Sequence, residues 1–283
     1  MGIVEKLSGI PELVKLENTI FVLPFTYIGM LFAGTPTLIQ FLLVTIALVC
    51  ARGAAFSINR IVGHRFDASN PKKKNWNSLR LYTKAEMGIA AAAFAAVFMA
   101  SAHMLNALAF VLAPVIVLLI LLEPYTKRYT QHRHFTMGIV IGLGIMGGYI
   151  GVAGTFPTQL PLYVLLAGYA LFSGANDIIY TINHIESDIA NRLKTYPVSY
   201  GSDSALSYSY QAHAFAAVLF AVFGYLNNSA LLVLAALVVF GVLYLEHRQL
   251  RSRDERSLKV SFFYYNAAVS LLLLAFFIAF RFF

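Results

Sequence analysis

The sequence predicts an all-α membrane protein with many spans, and three observations point to this fold class. Of the 283 residues, 59% are hydrophobic and only 12% are charged, whereas soluble domains have about 45–50% apolar and about 25% charged residues. Apolar stretches long enough to cross a bilayer recur along the whole chain. The residues that give the net charge of +8 lie mainly between these stretches. This composition excludes a disordered or a conventional soluble protein.

Nine apolar stretches are candidate membrane spans. Hydropathy places them at residues 18–34, 38–58, 87–105, 107–122, 137–154, 160–182, 211–227, 229–246 and 261–280. An odd number of spans puts the two termini on opposite sides of the membrane. The chain does not begin with a basic segment, a short apolar core and a cleavage site, so we expect no cleaved signal peptide. We expect one transmembrane domain over residues 1–283.

The connections between the spans alternate in length and charge. Those after the odd-numbered spans are short and nearly uncharged, and those after the even-numbered spans are long and basic, at residues 59–86, 123–136, 183–210 and 247–260. Of the 21 lysines and arginines, only Arg281 lies outside the N-terminal segment, these connections and the helix ends that lead into them. The positive-inside rule therefore predicts that the N-terminus and the four long connections are cytoplasmic. We expect a multi-pass protein of the cell membrane. The positive charge then requires no nucleic-acid partner.

A weak internal repeat relates the two halves of the chain. A shift of 121 residues superposes Asn59, Gly63, Asp67 and Asn70 on Tyr180, His184, Asp188 and Asn191. The halves cover about residues 12–123 and 137–247, and the ninth span, 261–280, lies outside them. Two facing halves would enclose a central cavity.

A first polar group follows the second span. Asn59, Gly63 and Asp67 are four residues apart, so they share one helix face. Arg52 lies on the same face within an apolar stretch, where a charge is costly without a partner or a cavity. The structural alternative is that Arg52 extends to the membrane interface while Asn59 and Asp67 cap or solvate a helix end.

A second polar group lies at the end of the sixth span. Asp177, Tyr180, His184 and Asp188 fall on one helix face, and Asp177 is the deepest acid. Such a residue binds a cation, moves a proton or pairs with a base, and the structural alternative is an ion pair with Arg52 or a loop lysine. His184 is a candidate metal ligand or acid–base group, or a hydrogen-bonded packing residue.

A third group is basic and aromatic and follows the fourth span. Its members are Tyr125, Lys127, Arg128, Tyr129, His132, Arg133 and His134. Clustered bases bind anionic lipid headgroups or a diphosphate, for which arginine supplies two parallel hydrogen bonds. Carboxylates and bases on one membrane face suit a metal-chelated diphosphate with a tail in the bilayer, because Mg²⁺ bridges carboxylate and phosphate oxygens. Prenyl diphosphates have this form.

These motifs resemble the signatures of the UbiA superfamily of intramembrane prenyltransferases. The first signature corresponds to residues 59–67 followed by Asn70, Pro71 and Lys72, and the second to Asp177, Tyr180, His184, Asp188, Pro197 and Gly201. Residues 15–25 and 125–130, together with Arg52, also resemble the branch that prenylates 4-hydroxybenzoate or related aromatic acids in quinone pathways.

The resemblance implies a helical bundle whose central cavity opens to lipid and is covered by cytoplasmic loops. It implies transfer of a prenyl group from a polyprenyl diphosphate to a small aromatic acceptor such as 4-hydroxybenzoate, in quinone or lipid biosynthesis. The partners would be these two substrates and membrane lipids. The catalytic residues would be Asp67, Asp177, Asp188 and Tyr180; the substrate-binding residues Arg52, Asn59, Lys127, Arg128, His184 and Lys72; and the Mg²⁺ ligands Asn59, Asp67, Asp177 and Asp188.

Two positions depart from the family pattern, in which an aspartate is usual at both. Gly63 offers no side-chain ligand, and His184 favours softer ions than Mg²⁺ when it is neutral. Three explanations stay open: fewer protein ligands, since Mg²⁺ keeps several waters; an altered substrate; or a catalytically degenerate relative that binds lipid. A transporter would also have many spans and charges within the membrane. Prenyl transfer is the leading hypothesis.

Overall fold

The computed structural model describes residues 9–13, 15–69, 77–252 and 254–283, and within these ranges it contains helices and no strands. The α-helices are α1 Leu16–Thr19, α2 Leu23–Ala33, α3 Leu38–Ser69, α4 Asn77–Leu81, α5 Lys84–Leu105, α6 Ala107–Leu122, α7 Arg133–Ala153, α8 Leu160–Ile182, α9 Ile185–Ala190, α10 Tyr196–Leu226, α11 Ala230–Gln249, α12 Glu255–Val260 and α13 Asn266–Phe282. A 3₁₀ segment, Glu123–Arg128, follows α6, and a π-helical turn, Ser261–Tyr265, precedes α13.

Eight of the described helical segments are long and apolar enough to cross a membrane, and they are based on α3, α5, α6, α7, α8, α10, α11 and the pair α12 and α13. The first predicted span corresponds to α2, an apolar helix of 11 residues. Eight long helices and one shorter one are close to the nine predicted spans. The predicted fold class, an all-α multi-pass membrane protein, is confirmed.

Two helices extend well beyond the predicted spans. Helix α3 continues to Ser69 rather than ending near residue 58, and α10 begins at Tyr196 rather than near residue 211. Hydropathy detects the part of a helix that is apolar, so it misses polar helical extensions. In α10 the backbone leaves the helical conformation at Gly201, where φ is +81°, a region that glycine enters at little cost. This kink separates a first turn, at residues 196–200, from the membrane-spanning part.

Close helix packing depends on glycines that face neighbouring backbones. A Cβ atom on Gly29 of α2 would overlap the carbonyl of Ile145 in α7, and one on Gly138 of α7 would overlap the carbonyl of Ala170 in α8. Small residues of this kind let helices within a membrane approach closely. Helices α2, α7 and α8 are therefore held at short separation.

The helices divide into a buried set and a peripheral pair. In the most apolar stretch of α8, 61% of the residues are buried, whereas the corresponding value is 17% for both α5 and α6. Phe25, Phe172, Phe220 and Phe277 are among the largest fully buried side chains, and they come from α2, α8, α10 and α13. Helix α8 therefore lies at the centre of the bundle, and α5 and α6 lie at its lipid-facing edge.

Candidate active site

The polar groups identified in the sequence meet at one cavity of about 230 Å³. Eight of the ten candidate residues line it: Arg52, Asn59, Asp67, Lys127, Asp177, Tyr180, His184 and Asp188. Arg128 is on the 3₁₀ segment but is not among the lining residues, and its guanidinium carbon lies 5.8 Å from the centre of the Tyr125 ring. Lys72 lies outside the residues that the structure describes.

Helix α3 forms one wall of the polar cavity. The Asp67 carboxylate forms an ion pair with Arg60, seven residues earlier on the same helix, with Nη1 and Oδ2 separated by 3.3 Å. At Gly63, an added Cβ would lie 3.3 Å from Oδ2 of Asp67 and 3.5 Å from Nζ of Lys127. The ammonium group of Lys127 therefore lies close to the helix where a side chain is missing. Arg60 also lines the cavity, although its spacing did not mark it in the sequence.

Helix α8 forms the opposite wall, where Asp177 is contacted by two residues of α7. Its Oδ2 atom lies 3.2 Å from Nη1 of Arg133 and 2.6 Å from Nδ1 of His134. Asp177 forms an ion pair with Arg133, a partner that differs from the Arg52 or loop lysine considered as the structural alternative. Arg133 also approaches Oε1 of Glu123, at 3.8 Å, and Glu123 is a lining residue that the sequence analysis did not select.

The imidazole of His134 links Asp177 to the start of α10. The ring is fully buried, and its Nε2 atom accepts a hydrogen bond of 3.3 Å from the backbone N–H of Tyr196. Since Nε2 is the acceptor, we assign the ring proton to Nδ1, which donates to Asp177. A histidine whose two nitrogens are both engaged holds a carboxylate in a fixed orientation. His134 was grouped with the basic cluster in the sequence, and the structure shows it as a support for Asp177.

His184 both lines the cavity and packs against an aromatic side chain. Its ring is 4.9 Å from the ring of Tyr180, which in turn lies 4.8 Å from the ring of Phe262. The ligand and packing interpretations of His184 are thus both compatible with its position. Phe262 belongs to the π-helical turn before α13, so the last part of the chain also contributes to the cavity.

The connection after α9 is attached to the 3₁₀ segment beside the cavity. The backbone N–H of Lys194 donates to the carbonyl of Lys127, at 2.8 Å, and the Lys194 ammonium donates to the carbonyl of Tyr129, at 3.2 Å. These bonds join two connections that are distant in sequence. They position the 3₁₀ segment, and with it Lys127, beside the residues of α8 and α9.

The cavity contains charges of both signs. The basic lining residues are Lys15, Arg52, Arg60, Lys127 and Arg133, and the acidic ones are Asp67, Glu123, Asp177 and Asp188. Carboxylates from α3, α8 and α9 offer oxygen atoms of the kind that a hard divalent cation takes, and the bases match an anion. The donor set therefore fits Mg²⁺ together with a polyanionic ligand.

A second, apolar cavity of about 470 Å³ adjoins the polar one. The two share lining residues: Arg52, Ala55, Ile120, Val140 and Ile141. The apolar cavity is lined from α3, α5, α6 and α7, and it reaches Phe156 and Tyr163 near the connection between α7 and α8. Arg52 lies at the junction, with its guanidinium carbon 4.6 Å from the centre of the Phe56 ring. The combined space suits a ligand with a charged head and a long apolar tail.

Comparisons with known proteins agree with this architecture. Two relatives named 4-hydroxybenzoate octaprenyltransferase, from Neisseria meningitidis serogroup B and Polynucleobacter asymbioticus, are 26% and 24% identical to this chain. The first alignment covers 81% of this chain and 76% of the relative, and the second covers 74% and 75%.

Two solved structures share the fold. A UbiA homolog from Aeropyrum pernix K1, in its apo form, gives a TM-score of 0.82 with 27% identity, over 93% of this chain and 98% of that one. A UbiA homolog from Archaeoglobus fulgidus, bound to GPP and Mg²⁺, gives a TM-score of 0.74 with 16% identity, over 96% and 98%. The sequence also matches the model of the UbiA prenyltransferase family over residues 22–280. The resemblance seen in the sequence is confirmed, and the chain belongs to the UbiA prenyltransferase family.

Proposed function

We propose that this protein transfers a prenyl group from a polyprenyl diphosphate to a small aromatic acceptor such as 4-hydroxybenzoate, in quinone or lipid biosynthesis. One observation carries the proposal: a polar cavity with carboxylates and bases opens into an apolar cavity, so that a charged head and an isoprenoid tail each find a matching environment. The names of the relatives support the acceptor class, and the ligands of the Archaeoglobus fulgidus homolog support the donor and the cation.

In this proposal nine of the ten candidate residues have two tasks, and the tenth, Tyr180, acts on the allylic cation. Asn59, Asp67, Asp177 and Asp188 would hold Mg²⁺, and the diphosphate would be bound by Arg52, Lys127, Arg128, Lys72, Asn59 and His184. When bound, Mg²⁺ offsets the negative charge of the diphosphate and so favours its departure. Carboxylates from α3, α8 and α9 and several basic side chains line the same cavity, which supports this division.

The protein's own side chains then favour ionisation of the donor. The bond between the allylic carbon and the diphosphate oxygen breaks, and the electron pair leaves with the diphosphate towards Arg52 and Lys127. Charge-assisted hydrogen bonds from these bases stabilise the departing anion. Arg133 and His134 keep Asp177 in place during this step. The location of Arg52 at the junction of the two cavities supports its role at the reacting end of the donor.

The allylic cation is protected and then consumed. The apolar cavity keeps water away from the cation, and the face of the Tyr180 ring stabilises its positive charge. A carbon of the electron-rich acceptor ring attacks the cation to form the new carbon–carbon bond. The ring then loses a proton to a carboxylate of the polar cavity, which restores its aromaticity.

The departures at Gly63 and His184 fit a site with fewer protein ligands. Lys127 lies near Gly63, so its ammonium group supplies positive charge to the diphosphate at the position where the family pattern usually has an aspartate. Because the cavity then contains fewer carboxylates, less positive charge from the metal is needed to neutralise the carboxylates and the diphosphate. This arrangement supports catalysis with the remaining ligands over loss of function.

In the proposed membrane orientation, the polar cavity and the N-terminus face the cytoplasm, because the basic residues concentrate at that end of the spans. The chain forms one domain of two related halves, about residues 12–123 and 137–247, followed by a further span at 261–280. One carboxylate-bearing helix from each half, α3 and α8, lines the cavity, which supports this division.

The direct test uses purified protein in lipid with labelled prenyl diphosphates of several chain lengths, 4-hydroxybenzoate and Mg²⁺. We expect a prenylated acceptor that forms only with Mg²⁺ and disappears when a chelator is added. Binding of the diphosphate without product, across several acceptors and chain lengths, would contradict the proposal and favour a relative that binds lipid without catalysis.

A further inference from the structure

A second cluster of ionisable side chains lies outside both cavities. It consists of His213 on α10 with Glu246 and His247 on α11, and we call it the His–Glu–His cluster. Nδ1 of His213 is 3.0 Å from Nε2 of His247 and 3.4 Å from Oε2 of Glu246. His213 and Glu246 are both 1% exposed. None of the three residues lines the polar or the apolar cavity.

The carboxylate of this cluster is buried without a permanent cation beside it. Glu246 has an ion-pair contact with His213, and the described residues place no lysine or arginine within ion-pair distance of it. Its Oε1 atom accepts a hydrogen bond of 2.5 Å from Ser261, and its Oε2 atom has no hydrogen-bond partner in the described part of the chain. Buried carboxylates are generally paired with a charge or bound to a metal. The lack of a hydrogen-bond partner for Oε2 among the described residues therefore indicates that this oxygen binds a ligand.

The geometry of the three side chains matches a metal site. One ligand atom from each residue lies within 4.8 Å of the others. In a tetrahedral zinc site with bonds of about 2.0–2.1 Å, neighbouring ligand atoms are about 3.3 Å apart. The two separations from Nδ1 of His213, 3.0 and 3.4 Å, bracket this value. The third pair of ligand atoms lies within 4.8 Å, so an ion fits once the Glu246 and His247 side chains close around it.

We propose that His213, Glu246 and His247 bind a divalent transition-metal ion of the zinc class, at a site separate from the carboxylate-lined cavity. Two imidazoles and one carboxylate are a ligand set that zinc uses when a fourth position stays open to water. Imidazole nitrogen donors favour zinc over Mg²⁺, so the two sites select different metals.

The surroundings of the His–Glu–His cluster support this assignment. The Ser261 hydroxyl orients Glu246 from behind, as outer hydrogen bonds do for metal ligands. His247 is half-buried near the end of α11, and its ring lies 5.2 Å from that of Tyr210, so it is the least buried member of the cluster. The ion links α10 to α11 and, through Ser261, to the turn that leads into α13.

The test measures bound metal rather than activity. The protein is purified without a histidine tag, stripped with a chelator, and supplied with Zn²⁺ in the presence of excess Mg²⁺, which occupies the carboxylate site. We expect one zinc ion per chain after gel filtration. Glu246→Gln and His247→Gln should each lower zinc affinity at least about 100-fold, and Ser261→Ala about 10-fold, within the range for loss of an outer hydrogen bond.

Two variants are matched controls. His103→Gln removes a histidine at the far end of α5, and Asp177→Asn alters the polar cavity; both should keep one zinc ion per chain. Absence of stoichiometric zinc in the wild type, or unchanged zinc in folded Glu246→Gln and His247→Gln, would overturn the proposal and leave a histidine pair hydrogen-bonded beside a protonated carboxyl.

A spectroscopic measurement covers the case in which these variants do not fold. Co²⁺ replaces zinc in the wild-type protein and reports the geometry of its site by visible absorption. Intense bands typical of tetrahedral Co²⁺ would support the proposal, and weak bands typical of six-coordinate Co²⁺ would overturn it.

Discussion

Asp177 on α8 and Asp67 on α3 line the same cavity, but their ion pairs with Arg133 and Arg60 are built in different ways. Asp177 is contacted by Arg133 and His134 from another helix, more than 40 residues away in sequence. Asp67 pairs with Arg60 of its own helix. The position of Asp177 therefore depends on how α7, α8 and α10 pack together, whereas the Arg60–Asp67 pair moves with α3. Asp177 is therefore held by contacts between helices, whereas the ion pair of Asp67 lies within a single helix.

The largest effect should come from Asp177→Asn. The change removes a charge from the proposed metal site and leaves Arg133 buried beside a neutral amide. We expect prenyl transfer to fall by about 10³-fold, comparable to the loss of a principal charge-stabilising group. Product formation under saturating donor and Mg²⁺ measures it. Turnover close to that of the wild type would show that the α8 wall is not the metal site.

A smaller loss should follow Asp67→Asn. Arg60 stays close by, and the carboxylates of α8 and α9 remain, so we expect a decrease of about 10²-fold. The same assay, run beside Asp177→Asn, measures the difference between the walls. Equal losses in the two variants would contradict the view that Asp177 is the more critical carboxylate.

His134→Gln tests whether the support of Asp177 matters apart from its charge. Glutamine keeps a donor and an acceptor but cannot place both where the imidazole has them. We expect the Mg²⁺ concentration for half-maximal activity to rise about 10-fold or more, as for other outer hydrogen bonds to metal ligands, with a smaller change at saturating Mg²⁺. An unchanged Mg²⁺ dependence would indicate that His134 only fills space. His103→Gln, on α5 away from the polar cavity, is the matched control.

The smallest effect should come from Gly63→Ala. The added methyl meets only the ends of two flexible side chains, at 3.3 and 3.5 Å, and alanine stabilises a helix by about 0.5–1 kcal/mol relative to glycine. We expect activity within about threefold of wild type and a slightly higher midpoint of thermal unfolding, since the methyl adds no charge to the site. Gly29→Ala is the contrasting control, because its methyl would overlap the Ile145 backbone and should lower that midpoint. A large loss of activity in Gly63→Ala would show that the space itself is needed.

The fold and most of the candidate site could be predicted from local sequence pattern. Apolar length predicted the spans, and four-residue spacing placed Asn59 and Asp67 on one face of α3. The single helix face predicted for Asp177, Tyr180, His184 and Asp188 was wrong, because α8 ends at Ile182 and Asp188 lies on the separate helix α9. The contacts of Asp177 could not be predicted, because its spacing along α8 says nothing of which residues of α7 face it. Arg60 was missed although it lies within the first signature, because only Asn59, Gly63 and Asp67 were selected by their four-residue spacing, and the pairing of Arg60 with Asp67 seven residues later is a side-chain detail of the helix end.

The two hydrogen bonds of His134 make the position of Asp177 depend on the position of the first turn of α10. One ring nitrogen meets the Tyr196 backbone and the other meets Asp177, and the ring between them is rigid. Tyr196 and Asp177 therefore cannot shift relative to each other without losing one of the two bonds. A change that displaces the first turn of α10 therefore also displaces the Asp177 carboxylate, even when the change lies far from bound substrate.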